Sequence, residues 1–166
     1  AEVGEADVLW WVGCAGSYDP RNQKVTRAVA KILHAAGVNF AILGTEETCT
    51  GDSARRAGNE YLFQMLAQEN IETLKRYGVR RIVTACPHCF NTLKNEYPQF
   101  GGDFEVVHHS EMIAALIAQG TLRPTAAPGD RALAYHDPCY LGRYNGVYQP
   151  ARAVVQAATG RPAAEL

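Results

Sequence analysis

The sequence predicts an α/β fold, a Rossmann-like parallel sheet with helices on both faces. Two observations predict it. Apolar runs of strand length alternate with longer segments of helical period, the pattern of βα units. Each of the five cysteines also falls just beyond a predicted strand, which puts all five on the carboxyl edge of the sheet, where such folds bind ligands. The first strand is "VLWWVG" (8–13). Asp19 then caps a helix with Pro20 at its first position, ending near Gly37. "FAILG" (40–44) is the second strand. After "TEETCTG", Asp52 caps a helix to about Arg76, with Leu62, Leu66, Ile71 and Leu74 on its inner face. "RRIVTA" (80–85) is the third strand, and Pro87 opens a helix that stops before Pro98. "FEVVHH" (104–109) is the fourth, followed by a Ser110-capped helix to Gly120. "TLRPTAAPGD" (121–130) reads as a linker, "RALAYHDP" (131–138) as a fifth strand, and "PARAVVQAAT" (150–159) as a closing helix that Gly160 ends.

The bulk numbers narrow the function. With 166 residues the chain can bury one good core. Sixteen Lys and Arg stand against 17 Asp and Glu, so no broad basic face points to nucleic acid or anionic lipid. No apolar run is long enough to span a bilayer, no secretion signal is visible, and the chain by itself is expected to be soluble. An odd cysteine count without a secretion signal favours a reducing compartment, where clustered cysteines mean metal or redox chemistry.

Cys14, Cys49, Cys86 and Cys89 follow the first three strands, and Cys139 follows the fifth. Three of these loops lead into helix starts, whose free N–H groups stabilise a thiolate. A set of four thiolates suits an iron–sulfur cluster or a zinc ion. "CPHC" alone equally suits a thiol–disulfide oxidoreductase using the Cys86–Cys89 dithiol, although that reading leaves Cys14, Cys49 and Cys139 without a role. A cysteine phosphatase loop is excluded by the Cys14 to Arg21 spacing, and no Gly-x-Gly-x-x-Gly follows the first strand.

The full spacing is Cys14, thirty-four residues, Cys49-Thr50, thirty-five residues that begin with Gly51, and Cys86-Pro87-His88-Cys89. This pattern resembles the cysteine-rich CCG domain of heterodisulfide-reductase-type iron–sulfur proteins. "ETCTGDSARRAGNEYLFQMLAQENIETL" is most similar to membrane-associated oxidoreductases of the electron-transfer flavoprotein and quinone type. The resemblance covers residues 8 to about 145. It implies a 4Fe-4S cluster held by Cys14, Cys49, Cys86 and Cys89, with zinc as an alternative occupant. It also implies electron passage between a flavoprotein and a quinone or disulfide acceptor through neighbouring modules. The implied location is cytoplasmic, at the inner face of the membrane through a parent protein. Thr50 stands where the family pattern has a second cysteine, which removes one thiolate and points to the simpler cubane. "YHDPCYLGR" resembles the opening of a second module. The expected organisation is therefore a first cluster-binding domain over 1–120, a linker over 121–130, and over 131–166 either an incomplete second module or an extension packed on the first, with Cys139 as an extra ligand in the latter case.

Several further residues lie near the predicted edge. His88, between two ligand cysteines, is placed for a hydrogen bond to sulfur. His108-His109 and His136-Asp137 are expected chiefly to fix loops. Arg55 and Arg56 are expected to be solvated, and Tyr18, Tyr144 and Tyr148 to be surface residues.

Overall fold

The structure is a computed structural model that describes residues 2–126 and 133–165. Its central sheet contains β1 (Val8–Trp11), β2 (Phe40–Ala41), β3 (Arg81–Thr84) and β4 (Glu105–His108) in the order β2-β1-β3-β4, with every pairing parallel. The chain leaves β1 for β2 on one side and returns to β3 on the other. The topological switch point, where open parallel sheets bind ligands, therefore lies between β1 and β3.

All four residues of β1 are buried, as a strand covered on both faces requires. Its side chains alternate between two cores. Leu9 and Trp11 join Phe63, Ile71, Leu74, Phe90 and Tyr97 on the side of α4 (Glu60–Arg76). Val8 and Trp10 join Val29, Leu33 and Met112, which belong to α2 (Pro20–Ala35) and α6 (His109–Ala118). Helices thus cover both faces, as the sequence predicts. Each large apolar side chain buried in these cores contributes about 1.5–3 kcal/mol.

Several boundaries differ from expectation. A short helix, α1 (Gly13–Tyr18), precedes α2, and Asp19 still caps α2 by accepting from the Asn22 N–H at 2.8 Å. The predicted 52–76 helix is broken into α3 (Asp52–Arg56) and α4, because Gly58 takes a left-handed φ of 85° and Asn59 starts a new helix by accepting from Leu62 N–H. The new start rotates the inner face, so Leu62 is exposed and Phe63, Ala67, Asn70, Ile71 and Leu74 are buried. After α5 (Pro87–Asn91) the helix widens into a π turn over Thr92–Glu96 and ends as a 3₁₀ turn at Tyr97–Phe100. Helix α6 begins one residue before Ser110, with the Glu111 carboxylate accepting from His108 N–H at 3.0 Å.

The C-terminal part departs most. Positions 127–132, which carry the end of the predicted linker and the start of the predicted fifth strand, lie outside the described residues. Strand β5 (Ala134–Tyr135) does not extend the main sheet. It pairs in parallel with β6 (Ala164–Glu165) in a separate two-stranded sheet. Between them α7 (Gln149–Thr159) packs on α6, and Leu141 inserts into the core shared with α4. Arg152 holds Asp137 through two contacts of 2.7 and 2.8 Å, which ties the end of β5 to α7.

Candidate metal centre

Three loops at the carboxyl edge meet in a cavity of about 340 Å³ at the switch point. Cys14, Cys49, Cys86 and Cys89 all line it, with Trp11, Gly13, Thr50, Asp52, Ser53, Arg56 and His88.

The first loop leaves β1 through Gly13, whose φ of 77° suits glycine. A Cβ there would lie 3.5 Å from Cys89 Sγ, so its absence keeps the wall open beside that sulfur. The backbone N–H groups of Val12 and Gly13 donate to the two oxygens of Glu47 at 2.9 and 2.6 Å. One carboxylate from the second loop therefore fixes the start of the first. Burial pushes Glu47 up to about 7, against the pull of those two N–H donors. Cys14 itself is exposed, and its thiol is pushed up by desolvation and by neighbouring Cys49 and Cys86.

The second loop is pinned from below. Asn70, 1% exposed on α4, donates to the Cys49 carbonyl at 2.9 Å and to the Tyr97 hydroxyl at 3.1 Å, and Tyr97 donates to the Thr50 carbonyl at 3.2 Å. Gly51 has a φ of 84°, and any Cβ on it would come within 2.8 Å of Phe63, so the turn after Cys49 requires glycine. Its N–H points at Cys49 Sγ, 3.4 Å away. Thr50 is buried, with its hydroxyl 3.9 Å from Cys89 Sγ.

The third loop follows β3. Cys86 caps α5, and its sulfur lies 3.5 Å from the Cys89 N–H. The hydrogen bond from the Cys89 thiol and the N–H groups of Cys89 and His88 favour the Cys86 thiolate over the cost of burial. Cys89, deeply buried and donating to Cys86, is held as a thiol.

Charged groups brace this arm. His88 Nδ1 lies 2.8 Å from Asp52 Oδ2, and Thr92 donates to the other oxygen of Asp52 at 3.3 Å. Glu96, buried in the π turn, pairs with Arg55 at 2.8 Å and Arg56 at 2.5 Å, and Arg56 also reaches Asp52 at 3.4 Å. Both arginines are held by ion pairs; Arg55 is half-buried, whereas Arg56 stays exposed as the sequence reading expects. His88 packs on Tyr140, which stacks on the exposed Tyr144.

The structure therefore brings together Cys14, Cys49, Cys86 and Cys89 and does not add Cys139, which is exposed in the turn after β5, outside the cavity lining. The fifth strand pairs with β6 and does not extend the main sheet, yet Tyr140 packs on His88, so the turn that carries Cys139 still lies beside the carboxyl edge although Cys139 does not line the cavity. His108 is a buried structural residue whose ring nitrogens contact Ser110 Oγ and the Ala85 carbonyl. Sequence reading missed Trp11, Glu47, Asn70 and Glu96. The spacing of Asp52 and Arg56, i and i+4 in one helical turn, was the one local signal for the brace.

Among the described residues no three Cys, His, Asp or Glu side chains lie close enough to hold a metal ion as they stand. The four thiols line one cavity, and thiolates are the donors that iron–sulfur clusters and zinc both take.

A parallel α/β domain that gathers thiols from three strand ends around a cavity defines a class of cysteine-rich redox modules. Within it, the chain belongs to the CCG cysteine-rich domain family, whose model matches residues 8–94. It is 50% identical over 157 residues to the EtfAB:quinone oxidoreductase of Syntrophomonas wolfei, covering 95% of this chain and 22% of that protein. It is 49% identical over 165 residues to the probable iron-sulfur-binding oxidoreductase FadF of Bacillus subtilis, covering 99% of this chain and 23% of that protein. It is 35% identical over 162 residues to one of the subunits of the dihydromethanophenazine:CoB–CoM heterodisulfide reductase of Methanosarcina mazei, covering 94% of this chain and 39% of that subunit. The expected kinship with heterodisulfide-reductase-type iron–sulfur proteins holds. The chain spans well under half the length of these relatives. No solved structure matches it.

Proposed function

We propose that this chain is the cluster-carrying electron-transfer domain of an iron–sulfur oxidoreductase, with Cys14, Cys49, Cys86 and Cys89 as the ligands of one 4Fe-4S cluster. The observation that carries the reading is the meeting of four thiols from three strand ends at one cavity. The cluster supplies one-electron chemistry when bound. The chain's own residues do the rest. Cys86 presents a favoured thiolate, the N–H of Gly51 faces Cys49 sulfur, Asn70 and Glu47 fix the loops, and Phe63, Phe90 and Trp11 keep the floor apolar. Buried Thr50 supplies a hydroxyl in place of a fifth thiolate, which favours the cubane over a larger assembly.

The name of the Syntrophomonas relative links electron-transfer flavoprotein to quinone. By that kinship the donor is a flavoprotein and the acceptor a quinone. Quinones are lipid-soluble, and a relative from Chromohalobacter salexigens is described as a probable membrane-anchored ferredoxin, which supports a parent protein at the membrane, although no helix among the described residues is long and apolar enough to cross one. The packing of α7 on α6 and of Leu141 in the main core supports residues 131–166 as an extension packed on the first domain, while Cys139 stays outside the cavity lining.

The test is anaerobic purification of the full-length protein with iron and acid-labile sulfide analysis. Cys86→Ser should remove about four irons and four sulfides per chain. Stoichiometric zinc in that site without visible absorption would overturn the reading. Retained disulfide-exchange activity in Cys14→Ser would instead support a dithiol catalyst.

A further inference from the structure

Thr50 and Cys89 belong to different loops, 39 positions apart in the chain, yet the Thr50 hydroxyl lies 3.9 Å from Cys89 Sγ. Thr50 is 2% exposed and lines the cavity, and Cys89 is the one partner of its hydroxyl among the described residues. The Thr50 backbone is held independently of that contact. Tyr97 donates to its carbonyl, Asn70 donates to the carbonyl of Cys49, and Gly51, in the left-handed region, sets the turn that follows. A thiol sulfur is a weak acceptor, which suits the length of the contact. A thiolate sulfur is a better one, because hydrogen bonds to ionised acceptors are shorter and roughly twice as strong as neutral ones.

We propose that the Thr50 hydroxyl donates a hydrogen bond to the Cys89 sulfur when that sulfur ligates the cluster, making Thr50 a residue that raises the cluster's reduction potential. This inference rests on the cluster reading above. Thr50 acts through Cys89 and is not itself a ligand. Its hydroxyl has to reach only the ligand sulfur, and the fold already brings the two together. A cysteine must lose its proton to bind metal, so ligated Cys89 has none to donate and becomes an acceptor. The hydroxyl hydrogen turns about the Cβ–Oγ1 bond and meets that acceptor without any change of backbone. The reduced cluster carries one more negative charge than the oxidised one, shared in part by its ligand sulfurs. A donor to one of those sulfurs therefore stabilises the reduced form more, and such bonds are among the groups that set cluster potentials. Burial strengthens the effect, since the local dielectric is low where Thr50 sits. One electron enters, no proton is transferred and no bond is broken.

The full-length protein, purified anaerobically, is titrated potentiometrically, and the spectroscopic signal of this cluster is identified as the one lost in Cys86→Ser. Thr50→Val replaces the hydroxyl by a methyl group in a side chain of the same shape. It should keep iron and sulfide content and remove one exchangeable proton coupling seen by pulsed electron–nuclear resonance in H₂O against D₂O. It should also shift the one-electron equilibrium about tenfold toward the oxidised cluster, which is about 59 mV more negative. Thr50→Ser, which retains the donor, should keep both the potential and the coupling. Should Thr50→Val fail to load, Thr50→Ala removes the same hydroxyl and takes its place. An unshifted potential or an unchanged coupling in the hydroxyl-free variant, or an equal shift in Thr50→Ser, overturns the proposal while leaving the cluster reading intact. Loss of the cluster from both hydroxyl-free variants overturns it as well, because the hydroxyl then serves assembly. Absence of iron and sulfide in the wild type overturns the cluster reading, and this inference with it.

Discussion

On the Cys86–Cys89 side of the cavity, one thiol is buried, a helix start faces the other, and a chain of ion pairs from Glu96 through Arg56 to Asp52 and His88 braces the loop. On the Cys14 side the thiol is exposed, and the loop is tied across the cavity by one carboxylate, Glu47. The difference teaches that the site is half preorganised and half adjustable. Burial fixes the floor and the far wall, whereas the near wall depends on two hydrogen bonds.

The sharpest way to break this comparison is to delete a sulfur from each half. Cys89→Ala should abolish cluster loading, and added small thiols should not restore it, because no external molecule reaches that depth. Cys14→Ala should lose most of its iron but regain it with a small exogenous thiol that enters from solvent. Equal rescue of both, measured by iron content and visible absorption, would make the two halves equivalent.

Acid should act on the buried half. His108 and His109 are pushed down to about 3 and about 4, first by burial, from an ordinary value near 6.5. Between those values the unfolded chain binds protons that the folded chain does not, so stability falls as pH drops below about 6.5, by up to about 1.4 kcal/mol per pH unit for each histidine. Denaturant unfolding of the apoprotein at pH 6.5 and 4.5 measures the slope, and His109→Leu should flatten it. The same slope in the variant would place the acid sensitivity elsewhere.

Glu96→Ala should cost the apoprotein roughly 3 kcal/mol, the low end for a buried pair, since the two guanidiniums it leaves can still reach water. Glu47→Ala should cost less, roughly 2 kcal/mol, because burial raises its carboxyl to about 7 and leaves its two hydrogen bonds near the ordinary net value of about 1 kcal/mol each. Denaturation midpoints check both. A larger loss for Glu47→Ala would invert the assignment of the rigid and the adjustable half.

The sheet and the thiol set were legible because their signals are local. β1, β3 and β4 are short apolar runs, and the cysteines stand just beyond strand ends. The break at Gly58 was legible in principle, but the helical period continues across it and masks the left-handed turn. The pairing of β5 with β6 was not legible, since a two-residue strand shows no period and its partner lies about thirty residues on. The braces were hidden for the same reason. Nothing beside Glu96 in the chain announces that Arg55 and Arg56, some forty positions earlier, will close on it. Likewise, Trp10 and Trp11 read identically until the strand is placed between two layers, which sends them into opposite cores.

The three thiol-bearing loops come from strands that are neighbours in space but more than thirty positions apart along the chain. Until the parallel strands have paired, the nascent polypeptide can offer a metal only the short Cys86–Cys89 pair. A cluster held by all four thiols would therefore be inserted after folding and not guide it, and it would enter past the exposed Cys14.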